Sequence, residues 1–384
     1  MNGLCKEGDV EALPGSFFPP YPLEDQRVHG GVIADALGRV LESGSYILGG
    51  EVARFEGEFA RYLGVRAVVG VGSGTDAIEV MLRALGIGVG DRVCIPALAP
   101  SAVAAGVVRS GAGLVFADVD PGSFTLCPGS LAEVLRSEAG AGVKAVLVVH
   151  LNGCPADWAG LERVAAEHGV PLLEDCAQAH GARWRGRMVG TLGLASAFSF
   201  YPTKNLAALG DAGAVATGDV ELAERMRLVR QYGWRDRGVS VCAGVNSRLD
   251  ELQAAVLLAK LPHLEAANSR RRALAALYDR GIAVCRGVTA VGTGGDCLHA
   301  YHQYVVRSST RGALLQWLQK CGVPAWIGCR VPLHLQPAFR QAVCFPGAES
   351  AASEGFSLPL HPHMGGEVVG AVCKLLERFG NEAS

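Results

Sequence analysis

No stretch of this 384-residue sequence reaches the roughly 18 apolar residues of a membrane span, and no run of lysines and arginines marks a nucleic-acid-binding surface. Lys+Arg 35 against Asp+Glu 37 leaves a net charge of -2, so membrane and nucleic-acid partners are both excluded as expectations. Met1 to Pro20 lack the charged start and apolar segment of an export signal, which points to a cytoplasmic protein. The 12 cysteines include no Cys-x-x-Cys pair, so neither a disulfide scaffold nor a paired-thiol zinc or redox centre is expected, and no metal site is assigned. The 51 glycines follow no period and no segment repeats, which rules out collagen-like and solenoid architectures.

What is present is an ordinary globular composition, 49% hydrophobic and 19% charged, long enough for a large core in two or three domains. Apolar runs at 67–71, 93–96, 114–119, 144–151, 171–175, 195–200 and 212–217 alternate with helix-compatible spacing at 76–85, 101–110, 131–138 and 158–168. That alternation predicts an α/β domain with a largely parallel sheet covered on both faces. Residues 247–279 read as helical with a break at Pro262. A glycine-rich loop at 287–296, a strand at 301–307 and helices near 312–320 and 367–379 then suggest a smaller α+β unit. The expected division is 1–245, an N-terminal segment with the large domain, and 246–384, linking helices with the small domain.

Three segments carry chemistry. Gly70-Val-Gly-Ser-Gly-Thr-Asp-Ala77 follows a strand and opens a helix, where unpaired N–H groups and the positive dipole end suit a phosphate. The same glycines match a dinucleotide fingerprint, but the next strand ends in Ala-Leu and lacks the ribose-binding acid. A tight turn with no ligand is the plain alternative. Leu172-Leu-Glu-Asp-Cys-Ala-Gln-Ala-His180 places Asp175 at a strand end, either as a helix N-cap or as the partner of a cationic ring nitrogen. In Ala197-Phe-Ser-Phe-Tyr-Pro-Thr-Lys-Asn-Leu206, Lys204 follows a strand and a proline turn, and desolvation there would lower its pKa and free the amine to attack an aldehyde. The alternative for Lys204 is a solvated surface charge.

Together with Asn246-Ser-Arg-Leu-Asp-Glu-Leu-Gln253, these motifs resemble the DegT/StrS-like sugar aminotransferases over nearly the whole chain, from Tyr46-Ile-Leu-Gly-Gly-Glu to Ser357-Leu-Pro-Leu. The resemblance implies pyridoxal-phosphate (PLP) fold type I, the aspartate-aminotransferase fold, assembled as a homodimer. It implies that Lys204 is the Schiff-base lysine, that Asp175 pairs with the pyridine nitrogen and that Gln178 contacts the ring 3-hydroxyl. Ser199, Gly74 and Thr75 would bind the phosphate, and Asn246 would reach the phosphate in the neighbouring subunit. Glutamate as amino donor, a nucleotide-linked 3-keto-deoxysugar as acceptor and a ping-pong scheme are implied as well, with His150, Tyr232 and His334 as candidate substrate contacts.

The sequence departs from the family pattern at Leu98-Ala-Pro100, where an aromatic residue is common near the ring, at Asn152 and His361, which replace tyrosines, and at Gly328-Cys-Arg330. Cyclitol ketones therefore remain alternative acceptors. A PLP-dependent sugar dehydratase carries histidine in place of the lysine, so Lys204 argues against it. A regulatory relative without catalysis stays open as a different class of function.

Overall fold

A computed structural model describes residues 21–292 and 297–382. The Met1–Pro20 segment and part of the glycine-rich 287–296 stretch thus lie outside the described residues. Seven strands form the central sheet: β1 (Ala67–Val71), β2 (Arg92–Pro96), β3 (Gly113–Ala117), β4 (Val143–Val149), β5 (Leu172–Asp175), β6 (Ala195–Ser199) and β7 (Gly213–Thr217). Their order is β1-β7-β6-β5-β4-β2-β3. All pairings among β3, β2, β4, β5 and β6 are parallel, while β7 runs antiparallel to both neighbours. The sheet is therefore largely parallel, as the sequence predicts. The direction of β7 follows from its connection, because residues 200–212 contain no crossover helix and cannot return the chain to a parallel start.

Both faces are apolar because both are covered. Val68, Cys94, Val146 and Val148 belong to one buried cluster, and Val69, Val93, Ile95, Ala145 and Leu147 to the other, in the period-2 alternation of a strand. Helices α1 (Tyr21–Ser43) and α2 (Gly50–Leu63) precede the sheet, and α3 (Gly74–Ala84), α4 (Ser101–Ser110), α5 (Pro128–Arg136), α6 (Trp158–His168) and α7 (Val220–Arg230) are interleaved with its strands. The expected helix break at Pro262 is a 3-10 turn, Leu261–His263, between α8 (Glu251–Lys260) and α9 (Leu264–Ile282). A third buried cluster joins α9, α10 (Arg311–Lys320) and α11 (Gly366–Glu382) to the small antiparallel sheet of β8 (Thr289–Ala290), β9 (Tyr304–Arg307) and β10 (Gly355–Leu358). No helix among the described residues is long and apolar enough to cross a membrane.

The Asn246–Gln253 motif acts largely as a brace between these parts. Ser247 accepts the Gly72 N–H at 2.9 Å and donates to Asp76 at 2.8 Å. Buried Glu251 accepts the N–H groups of Gly49, Glu51 and Val52 at 2.7–2.9 Å, satisfying the orphan donors that open α2. Gln253 accepts from the Leu209 N–H at 2.8 Å and so ties down the loop beyond Lys204.

Candidate active site

A cavity of about 220 Å³ opens at the carboxyl ends of the parallel strands, the place where open α/β sheets bind ligands. Ser73 and Gly74 follow β1, Pro100 follows β2, Val149 ends β4, Asp175 ends β5 and Ser199 ends β6, and all six line it. Topology thus gathers residues far apart in sequence.

At the β1–α3 turn, the Ser73 hydroxyl accepts the Asp76 N–H at 3.1 Å, an N-cap that fixes where α3 begins. The N–H groups of Gly74 and Thr75 then have no partner within the helix and face an anion-favouring dipole end. Gly74 is required by contact distance: a Cβ there would stand 2.5 Å from the Ser199 Cβ. A small polar cradle results, formed by a helix N-terminus on one side and the Ser199 hydroxyl on the other.

Beyond Ser199 the chain is anchored and then turned. Phe198 and Phe200 set their edges against Phe59 and Phe55, with ring centroids 5.1 and 5.3 Å apart. Tyr201-Pro-Thr-Lys204 forms a turn closed by the Lys204 N–H to the Tyr201 carbonyl at 2.8 Å, with proline in the second position, where its fixed φ is already correct. Lys204 reaches the cavity through dense protein surroundings, and this burial pulls its pKa down from the ordinary lysine value, with the Asp175 carboxylate opposing. Burial pushes Asp175 upward, while the Ala177 N–H at 2.9 Å and the charge of Lys204 pull the other way. Only one oxygen of Asp175 is taken by Ala177, which leaves the other for a cationic partner in the cavity.

Gln178 has a determined orientation. Its Oε1 accepts the Asn152 N–H at 2.6 Å, so its NH2 group is the donor left for the cavity it lines. Asn152, one of the departures from the family pattern, sits at φ 60, a left-handed conformation that asparagine tolerates and tyrosine does not favour. Of the other departures, Pro100 lines the cavity and leaves Tyr201 as its one aromatic wall residue among the described residues. Gly328 and Cys329 line a small cleft beside Asn152, and His361 is buried with its pKa pushed down to about 4.

Of the sequence candidates, the structure brings Gly74, Thr75, Asp175, Gln178, Ser199 and Lys204 together. Four others lie elsewhere. Asn246 is exposed, pairing through its backbone with Gln231, and does not line the cavity of its own chain. His150 is fully buried: its Nδ1 accepts the Ala156 N–H at 3.1 Å, so Nε2 carries the proton it shares with Glu174, also at 3.1 Å. It does not line this cavity. His334 is likewise fully buried, 3.3 Å from Glu349 and edge-on to Phe345. The Tyr232 ring lies tilted against Trp234, centroids 4.9 Å apart, with the Arg248 guanidinium 5.7 Å from its ring, and does not line the cavity.

His150, Glu174 and Cys176 bring three potential metal-ligand atoms within 4.8 Å of one another. Their donors are committed already: Glu174 accepts Gly190, Leu192 and Gly193 N–H groups at 2.7–2.8 Å as well as His150. Burial and two neighbouring carboxylates push the Cys176 thiol well up, so the group clamps the loop after β5. Cavity-lining residues to which the sequence assigned no role are Ile78, Val149 and Asp211, which stand outside the quoted motifs, and Tyr201, which stands inside the Lys204 motif.

Residues 29–377 match the DegT/DnrJ/EryC1/StrS aminotransferase family. A curated relative, dTDP-3-amino-3,4,6-trideoxy-alpha-D-glucose transaminase of Streptomyces venezuelae, is 44% identical over 86% of this chain and 87% of its own. The erythromycin biosynthesis sensory transduction protein EryC1 of Saccharopolyspora erythraea is 44% identical over 90% of this chain and 94% of its own. The crystal structure of S. venezuelae DesV in complex with a ketimine intermediate superposes with a TM-score of 0.91 at 40% identity, covering 97% of this chain and 99% of that one.

Proposed function

The chain belongs to the DegT/DnrJ/EryC1/StrS aminotransferase family and is a PLP-dependent aminotransferase, and on that premise we propose that it moves an amino group from glutamate onto a nucleotide-linked 3-keto-deoxysugar by a ping-pong route. The observation that carries this reading is the meeting of Lys204, Asp175 and the Gly74–Ser199 cradle in one cavity of about 220 Å³. These donors fit PLP: an amine of lowered pKa for the aldehyde, a half-free carboxylate for the ring nitrogen, and a cradle that a Cβ would fill for the phosphate. Bound PLP supplies an aldehyde that condenses with amines and a ring that takes up carbanion electrons.

The protein's part is to hold and move protons. Lys204 Nζ would hold the cofactor through its aldehyde carbon at rest and, as a free amine, would be the group placed to take up and return the donor's α-proton. In the second half the same amine works in reverse on the keto-sugar. Asp175 would keep the ring nitrogen protonated, Gln178 would offer its NH2 to the ring hydroxyl, and Ser199 with the Gly74 and Thr75 N–H groups would hold the phosphate. The acceptor assignment is supported by similarity to the S. venezuelae transaminase. The exposed position of Asn246 supports a homodimer in which it completes the partner's phosphate site. A division into domains at residues 1–245 and 246–384 belongs to this proposal, as does a cytoplasmic location.

A visible spectrum taken before and after excess glutamate tests the reading. A band that shifts to shorter wavelength with glutamate in the wild type, and is missing from Lys204→Ala, is expected. A PLP-loaded protein that glutamate and glutamine both leave unchanged would remove the donor assignment. Absence of any PLP binding would remove the roles given to the cavity.

A further inference from the structure

Asn205, the residue after Lys204, is buried and uses every polar atom of its side chain. Its Nδ2 donates to the Asn268 Oδ1 at 2.8 Å and to the Ala300 carbonyl at 2.9 Å. Both partners are acceptors, which fixes the amide orientation, so the atom 3.3 Å from His302 Nδ1 is Oδ1. His302 must therefore donate from Nδ1. Burial and the Lys204 charge hold that imidazole far below its ordinary pKa, which makes it the neutral Nδ1–H tautomer with a bare Nε2. The Arg271 charge also disfavours a positive charge on His302.

The network reaches both chemistry-bearing segments. Asn268, fully buried in α9, donates its Nδ2 to the His180 carbonyl at 2.8 Å, in the segment that carries Asp175 and Gln178. The stretch that supplies Ala300 and His302 also donates its Ala300 N–H to Gly153 at 3.0 Å and its Gln303 N–H to Asn152 at 3.3 Å. Asn152 is the residue whose own N–H orients Gln178. One run, 300–303, thus braces the supports of Lys204 and Gln178 together. Leu206, Ala207 and Ala208 already bury apolar surface just beyond, so anchoring of this loop as such does not require a saturated amide network.

We propose that Asn205, Asn268 and His302 are positioning residues that set the direction of the Lys204 amine, an inference that rests on the reading of Lys204 as the reacting group. The backbone at the base of the Lys204 side chain is held on one side by its own N–H to Tyr201 and on the other by this network.

The test uses PLP-loaded wild type, Asn205→Leu, Asn268→Leu and the double variant, with glutamate as the probe. Expected are a PLP Kd within about threefold of wild type, a shifted pH midpoint of the visible band, and a single-turnover rate lower on the order of 10- to 100-fold with little change in glutamate affinity. The double variant should lose no more than the worse single one, because the two residues form one unit. Unchanged rate and midpoint with only a lower Tm would overturn the proposal, as would rate and PLP affinity falling in step. If the variants do not fold, nitrogen NMR of His302 in the wild type decides: a protonated Nδ1 with a bare Nε2 supports the network and the reverse tautomer overturns it. A wild type without a visible band would instead remove the reading of Lys204 itself.

Discussion

Gly74 and Ser199 meet across the mouth of the sheet with no room for a side chain, since a Cβ on Gly74 would stand 2.5 Å from the Ser199 Cβ. The contact brings a helix N-terminus and a hydroxyl to one anion. Gly74→Ala must push the two apart, and PLP affinity is expected to fall by at least about tenfold, the equivalent of one lost charge-assisted hydrogen bond. Ser199→Ala removes the hydroxyl but keeps the approach, so a smaller loss is expected. Fluorescence titration of the apoprotein with PLP measures both, and equal affinities for wild type and Gly74→Ala would show that the phosphate sits elsewhere.

Lys204 and Asp175 set each other's charge. Burial lowers the lysine, and the Asp175 carboxylate is what holds it up. Asp175→Asn should therefore lower the Lys204 pKa further in the apoprotein, moving the pH midpoint of amine acylation to more acidic values. In the loaded enzyme the same variant should slow the glutamate half-reaction by roughly 10²-fold or more, because the ring nitrogen loses its acid partner. A midpoint that moves upward would contradict the arrangement of the pair.

The fold was largely legible because buried strands announce themselves: the run Ala67–Val71 and the helices Ser101–Ser110 and Trp158–His168 match their expected bounds. The reversed direction of β7 was not, since a strand's apolar run carries no sign of its orientation. The chemistry-bearing motifs were legible where glycine, lysine or a strand-end acid stands out. His150 and His334 were expected as substrate contacts only through the resemblance, and the structure places each beside a carboxylate, Glu174 and Glu349, outside the cavity lining. Ile78, Val149 and Tyr201 stayed invisible because an apolar or aromatic wall residue looks like core until the cavity beside it is known.

Acid should destabilise the protein through its buried imidazoles. Burial pushes His180 and His299 down to about 3 from an ordinary value of 6.5. Between those values the unfolded chain takes up protons that the folded one refuses, so stability is full above 6.5 and falls as pH drops through this window. Tm measured from pH 7 to pH 4 should decline, and His180→Leu should flatten the slope, because it removes one of these buried imidazoles. A slope unchanged by His180→Leu would remove His180 from the acid-sensitive groups and leave it with His299 or the carboxylates.

Asn246 offers the sharpest test of how many chains make one site. It does not line the cavity of its own chain, so if it serves the partner's phosphate, Lys204→Ala and Asn246→Ala damage different sites of the same dimer. Each variant alone should be nearly inactive or weak in PLP binding. In a mixed dimer, the site with an intact Lys204 receives its Asn246 from the Lys204→Ala chain and is whole, while the other site carries both lesions. Random remixing makes half of the dimers mixed, each with one good site of two, so activity should return to about a quarter of wild type. Recovery near that level requires sites shared between subunits. No recovery after verified subunit exchange would mean that each chain holds its phosphate alone, and the cradle of Gly74, Thr75 and Ser199 would then have to suffice.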